Sequence, residues 1–146
     1  FGSVPIVKET EWSTPDWSII YFDEGNIAAF LNIVMRQVKF DDTYYAVGGL
    51  NNLITKKEYR KKGLGSQLVK RANTFILDDL NCDFGLLLCA DELVPYYTRL
   101  GWVEVSCPVY FDQPGGKKRW KACTMIKTRS DHQKQYGTID LNGLPW

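Results

Sequence analysis

The segment Tyr59-Arg60-Lys61-Lys62-Gly63-Leu64-Gly65-Ser66 decides how this chain folds. Before it, Tyr45 to Thr55 (YAVGGLNNLIT) is rich in β-forming residues and contains a Gly48-Gly49 pair. After it, Leu64, Leu68, Ala72, Phe75, Ile76 and Leu80 recur at helical spacing, which predicts an amphipathic helix with one apolar stripe. The order is strand, basic glycine-rich turn, helix. The first amides of a helix lack intrahelical acceptors and stand at the positive end of its dipole. Glycines at 63 and 65 keep Cβ atoms away, so an anion can approach the backbone closely. Arg60, Lys61 and Lys62 add cationic side chains at the same place. The segment reads as a pyrophosphate cradle.

Two familiar cradles do not fit. A P-loop needs Lys followed by Ser or Thr after its last glycine, and no such pair follows Gly65. The dinucleotide fingerprint G-x-G-x-x-G fails because position 68 is leucine. Taken alone, the hexapeptide is equally a loop with a solvated basic face. In place, however, Arg60, Gly63 and Gly65 spell R-x-x-G-x-G between a strand and a helix. That pattern resembles the acetyl-coenzyme A signature of the GNAT-type N-acetyltransferase superfamily, R/Q-x-x-G-x-G/A. About thirty residues on, Phe84 to Cys89 reads as a buried strand. Val94 to Trp102 (VPYYTRLGW) then looks like that family's x-x-Y-x-x-x-G-F segment. The resemblance runs over roughly residues 17 to 127.

Composition is consistent with one globular domain over residues 1–146. The chain is 45% hydrophobic and 14% aromatic, and its formal charge of +1 argues against a polyanion partner. No apolar run approaches the ~20 residues of a membrane-spanning helix, and Phe1 to Pro5 does not read as a signal peptide. Cys82, Cys89, Cys107 and Cys123 are widely spaced without a C-x-x-C pair, so with the single His132 they make no credible zinc set. No metal is expected, and the thiols fit a reducing cytoplasm. One histidine in a polar stretch also leaves little basis for a serine or cysteine triad.

In chain order, Trp17 to Asp23 is a strand, Glu24-Gly25-Asn26 a hairpin turn, and Ile27 to Phe40 a second strand. Asp41-Asp42-Thr43 turns into Tyr44 to Thr55. The Gly48-Gly49 pair suits a strand bulge or a loosened strand start. After the long helix and Phe84 to Cys89, Asp91 or Glu92 caps a short helix, Pro95 fits its first turn and Gly101 its C-terminus. Trp102 to Phe111 and Arg119 to Thr128 read as a closing hairpin, followed by a polar tail. The fold class expected is α/β (α+β): a GNAT-like mixed, mainly antiparallel sheet flanked by helices. Only sixteen residues precede the first strand, fewer than that family's usual strand and helices, so those elements are short, missing, or replaced by a partner.

What the resemblance implies about function is specific. Acetyl-CoA is the cosubstrate and a primary amine the acceptor, attacked directly in a ternary complex. Leu53, Ile54 and Thr55 would offer backbone groups to the pantetheine arm. Arg60, Lys61, Lys62, Gly63, Leu64, Gly65 and Ser66 would hold the pyrophosphate. Tyr97 stands four residues before Gly101, where the family's tyrosine acts as general acid toward the departing thiolate. Tyr96 is its rival, since a step of about 100° lets only one of them face the cofactor. The family's asparagine position is Ala90 here, leaving that contact absent or moved to Asp91. No carboxylate lies on Tyr44 to Thr55, so the base comes from Asp112, Glu104, Asp41 or Asp42, or from a water relay; Asn51 and Asn52 only position water.

The acceptor expected is a small-molecule amine, with no nucleic-acid or membrane partner and with a homodimer allowed. Abundant tryptophan and tyrosine suggest aromatic groove walls suited to a cation or sugar ring. The ending Ile139 to Trp146 is similar to aminoglycoside 2′-N-acetyltransferases, which implies a tail returning to the acceptor site with Asp112 and the Trp146 carboxylate as substrate contacts. Antibiotic modification follows from that. A protein Lys or N-terminal acetyltransferase, or a non-catalytic acyl-CoA sensor, are the alternatives.

Overall fold

A computed structural model describes residues 10–130 and 134–146; the readings of residues 1–9 and of His132 fall outside the described residues. The first three strands, β1 (Trp17–Asp23), β2 (Asn26–Phe40) and β3 (Thr43–Thr55), form an antiparallel meander. Glu24 and Gly25 have φ of 48° and 83°, the pair of positive values a tight two-residue hairpin requires. Helix α1 (Leu64–Thr74) follows the basic turn. It does not run on to Leu80 as one α-helix: Phe75–Asp79 widens into a π-helical turn, and the Leu80 amide bonds to the Phe75 carbonyl, five residues back, at 2.8 Å.

The chain then returns as β4 (Phe84–Cys89), parallel to β3, and a 3-10 turn (Asp91–Leu93) leads into α2 (Val94–Arg99). Pro95 sits in the first turn of α2, and Gly101 leaves it with φ 91°. Neither Asp91 nor Glu92 caps it.

The expected closing hairpin is divided in two. β5 (Val103–Val105) pairs with β8 (Cys123–Lys127), whereas β6 (Val109–Gln113) pairs with β7 (Gly116–Arg119). Cys107-Pro108 separates β5 from β6, and a proline cannot donate to a central ladder. The tail adds β9 (Ile139–Asp140), which bridges β2 and β6. The sheet order is β5-β8-β4-β3-β2-β9-β6-β7, with β1 also on β2. Since β3 occupies one edge of β2, β1 and β9 share the other, β1 along Asn26–Ile33 and β9 at Lys39–Phe40.

Two cores lie on opposite faces of this sheet. On the helical face, Leu68, Val69, Ala72 and Ile76 pack on Leu31, Ile33, Leu50, Leu87 and Met125. On the other, Val38, Phe40, Val47, Leu86, Phe111, Ile139, Leu141 and Trp146 form the second. The glycine pair belongs to both. A Cβ on Gly48 would stand 2.6 Å from the Ile76 side chain, and one on Gly49 would stand 2.1 Å from the Trp146 indole. Their register is regular, Met35↔Gly48 and Val34↔Gly49, so the pair serves close packing and carries no bulge.

Candidate active site

β3 and β4 start as neighbours and then separate. Their parallel ladder holds from Val47↔Phe84 to Leu50↔Leu87, although β3 extends to Thr55 and β4 to Cys89. Over Asn51–Thr55 the edge of β3 away from β2 has no strand partner among the described residues. The cause is local. Between Phe30↔Ile54 and Asn32↔Asn51, the single residue Leu31 faces both Asn52 and Leu53. Asn52 takes φ 52°, the left-handed region that asparagine tolerates better than most residues. A bulge of this kind bends its strand and sharpens the twist, which carries the end of β3 away from β4. Its place is Asn52, three residues beyond the glycine pair.

The cradle stands at the open end of that gap. A 3-10 turn (Lys57–Tyr59) brings the chain round, and the Arg60 Nε donates to the Thr55 carbonyl at 3.1 Å, tying the loop to the strand. The Lys62 ammonium lies 5.6 Å from the centre of the Tyr59 ring. Lys61 and Gly63 have φ of 65° and 77°. No side chain caps α1, and its ladder starts with the Gln67 amide on the Gly63 carbonyl at 3.1 Å. The earlier amides are therefore left for an outside acceptor. A Cβ at Gly63 would meet nothing within 4 Å, so the approach there is open. At Gly65 it would meet the Tyr96 hydroxyl at 3.2 Å, with Leu53 and Thr55 atoms at 3.7 Å. Leu53, Thr55 and Gly65 thus converge on one spot, while Ile54 is exposed beside it. Residues with open amides, an unpartnered strand edge and adjacent cations fit a nucleotide diphosphate with an extended amide-bearing arm.

The two tyrosines divide. Tyr96 places its hydroxyl 3.2 Å from Ser66 Oγ, at the first turn of α1. Tyr97 is 7% exposed and packs edge-on against Trp102 and against Tyr96. Burial foremost, then the neighbouring Tyr96 and Cys89, pushes the Tyr97 phenol up to about 12. Its hydroxyl makes no hydrogen bond within the described residues. It is not sealed in, because no enclosed side-chain oxygen among them lacks a partner. The phenol is therefore neutral at ordinary pH.

Asp112 is paired with Lys117 at 2.7 Å, and Asp140 takes the same ammonium at 2.7 Å. The Trp146 indole is buried, with Nε1 on the Leu86 carbonyl at 3.1 Å. Asp41 accepts from the amides of Gly137 and Thr138, at 2.9 and 3.0 Å, and so anchors the tail. Glu104 stands elsewhere: with Asp91 it approaches Cys123 Sγ, each at 2.9 Å. These carboxyl groups raise the Cys123 thiol well above its ordinary range, so it is a donor and not a thiolate nucleophile. Sequence reasoning missed this cluster because its contacts span 32 and 19 residues and carry no spacing signal. Among the described residues no group of His, Cys, Asp and Glu is arranged to hold a metal, and all four cysteines are free.

This architecture is shared with solved acetyltransferases. A GNAT family N-acetyltransferase of Escherichia coli, YhbS, in complex with CoA, superposes with a TM-score of 0.60 at 17% identity, over 88% of this chain and 68% of that one. The ribosomal-protein-S18-alanine N-acetyltransferase of Escherichia coli gives 0.54 at 20% identity, over 81% and 72%. A GNAT family acetyltransferase of Brucella melitensis, in complex with acetyl-CoA, gives 0.54 at 13%, over 82% and 62%. The chain therefore spans about two thirds of the length of these structures. A sequence model of the acetyltransferase (GNAT) domain matches residues 16–104, more than half of the chain. The chain belongs to the GNAT acetyltransferase family.

Proposed function

We propose that the chain is an acetyl-CoA-dependent N-acetyltransferase acting on the primary amine of a small molecule, by direct attack in a ternary complex. The carrying observation is one continuous feature: the β3–β4 gap opens on the uncapped start of α1, where a Cβ at Gly63 would meet nothing. The amides of Leu64 to Ser66 take the diphosphate, with Arg60, Lys61 and Lys62 beside it. The free edge of Leu53–Thr55 takes the pantetheine amides as an added strand would. Tyr97 returns a proton to the thiolate as the amine displaces it; the amine loses its own proton to a base or to water. Four free thiols support a reducing, cytoplasmic setting.

Release of free thiol from acetyl-CoA, measured over a panel of amines that includes aminoglycosides, polyamines and amino acids, tests the reading. Turnover with a small amine supports it. Turnover only with a peptide N-terminus or lysine moves the acceptor to protein, and CoA binding with no turnover on any amine leaves a sensor.

A further inference from the structure

A cavity of about 370 Å³ lies where the β5–β6 and β7–β8 connections face each other. Its size is at the lower end for small-molecule sites. Glu104 and Cys123 line it from β5 and β8, while Arg119, Trp120 and Lys121 line it from β7 and the turn that follows. Opposite charges thus line one chamber from different strands, with Trp120 in the same lining. Trp120 is fixed in place, since its Nε1 donates to the Cys123 carbonyl at 3.0 Å and its backbone amide to Val109 at 2.8 Å.

The acidic flank is short of hydrogens. Cys123 Sγ has a single hydrogen, yet Asp91 and Glu104 both approach it at 2.9 Å. One carboxyl contact is therefore left to solvent or to a ligand, both residues being exposed. None of the ion pairs within the described residues reaches Asp91 or Glu104. An ammonium group, with three donors and a positive charge, supplies what is missing. The basic flank has the converse need, as Arg119 and Lys121 are exposed and in none of those ion pairs. Through Cys123 the chamber reaches toward the proposed reaction centre: Cys123 sits opposite Cys89 in the β8–β4 ladder and packs against the core cluster that holds both Cys89 and Tyr97.

On the transferase reading above, we infer that this cavity receives the acceptor and selects a zwitterion of the amino-acid class. Its ammonium goes to Glu104, beside the Cys123 thiol, and its carboxylate to Arg119 and Lys121, with its side chain against Trp120. A polyamine or an aminoglycoside brings several positive charges to the basic flank and is rejected there by like-charge repulsion.

A matched pair of acceptors isolates the claim: phenylalanine and phenethylamine, which differ by the carboxylate, assayed by thiol release alongside spermidine and kanamycin. Phenylalanine is expected to have a KM at least tenfold below phenethylamine, and the two polycations to turn over least. Arg119→Ala should erase that preference, Glu104→Gln should raise the KM of both members at least tenfold, and Lys118→Ala, outside the cavity on the same strand, should change neither. CoA affinity should be unaltered in all three. Spermidine or kanamycin as the preferred acceptor, or an Arg119→Ala enzyme that still prefers phenylalanine, overturns the inference while leaving the transferase reading intact. Tight CoA binding without thiol release from any amine removes both. Should Glu104→Gln fail to fold, the surface variant Arg119→Ala decides alone.

Discussion

Tyr97 is the residue on which the proposed chemistry turns, and its burial has two consequences. With a value near 12, it stays a neutral acid throughout the range in which acetyltransferases are assayed. Tyr97→Phe keeps the ring packed on Trp102 and deletes only the donor. kcat should therefore fall at least tenfold with CoA affinity unchanged by titration calorimetry, while an unchanged kcat would pass the role to Tyr96 or to water. The second consequence concerns stability. Folding favours the protonated phenol, so its contribution is intact below the unfolded value of ~10 and is lost as pH rises toward 12. At ~1.4 kcal/mol per unit, about 3 kcal/mol should disappear across that window. Denaturant melts at pH 8 and pH 11 should show about half of that loss, ~1.4 kcal/mol, in the native protein and a smaller one in Tyr97→Phe. Gly49 gives a separate residue-level test. Gly49→Ala puts a methyl on the Trp146 indole and should cost about 3 kcal/mol, read as a lower melting temperature with a shifted tryptophan emission.

At the scale of elements, the strand–turn–helix unit around Gly63 was legible because glycine spacing, basic residues and a 3.6-residue period all speak locally. So was the hairpin at Glu24-Gly25. The bulge was not: a Gly-Gly pair is the stronger sequence signal, but its glycines admit Ile76 and Trp146, which lie 28 and 97 positions away. Asn52 gave less warning, since an asparagine in the left-handed region looks from sequence like any polar strand residue. The bulge has its own test. Asn52→Gly keeps the φ of 52° accessible and should be near neutral. Asn52→Val should destabilise by about 1–2 kcal/mol and weaken CoA binding, because a β-branched residue resists that conformation and straightens β3 back toward β4. Equal CoA affinity in both variants would detach the gap from the bulge.

For the whole molecule, the last eight residues are structural. Ile139, Leu141 and Trp146 are all at most 2% exposed, and Arg36 holds the tail through the Leu141 and Leu144 carbonyls at 3.1 and 2.7 Å. Deleting 139–146 removes three large core side chains at roughly 2–5 kcal/mol each, more than a domain of this size commonly has to spare. Loss of the cooperative melt is the expected outcome; a truncated chain that melts normally would show that the second core closes without the tail. From sequence this segment resembled a tail returning to the acceptor site, because nothing local shows that a terminal tryptophan faces a glycine. The two halves of the cavity, likewise, are brought together only by the curl of the completed sheet. Beneath all of these stands the proposed diphosphate grip at the start of α1. Isothermal titration of CoA into the full chain, native and Gly65→Val, tests it directly, because the valine branches enter the space bounded by Tyr96, Leu53 and Thr55. One site per chain is expected in the native protein, with at least tenfold weaker binding in the variant; no heat of binding in folded native protein would contradict it.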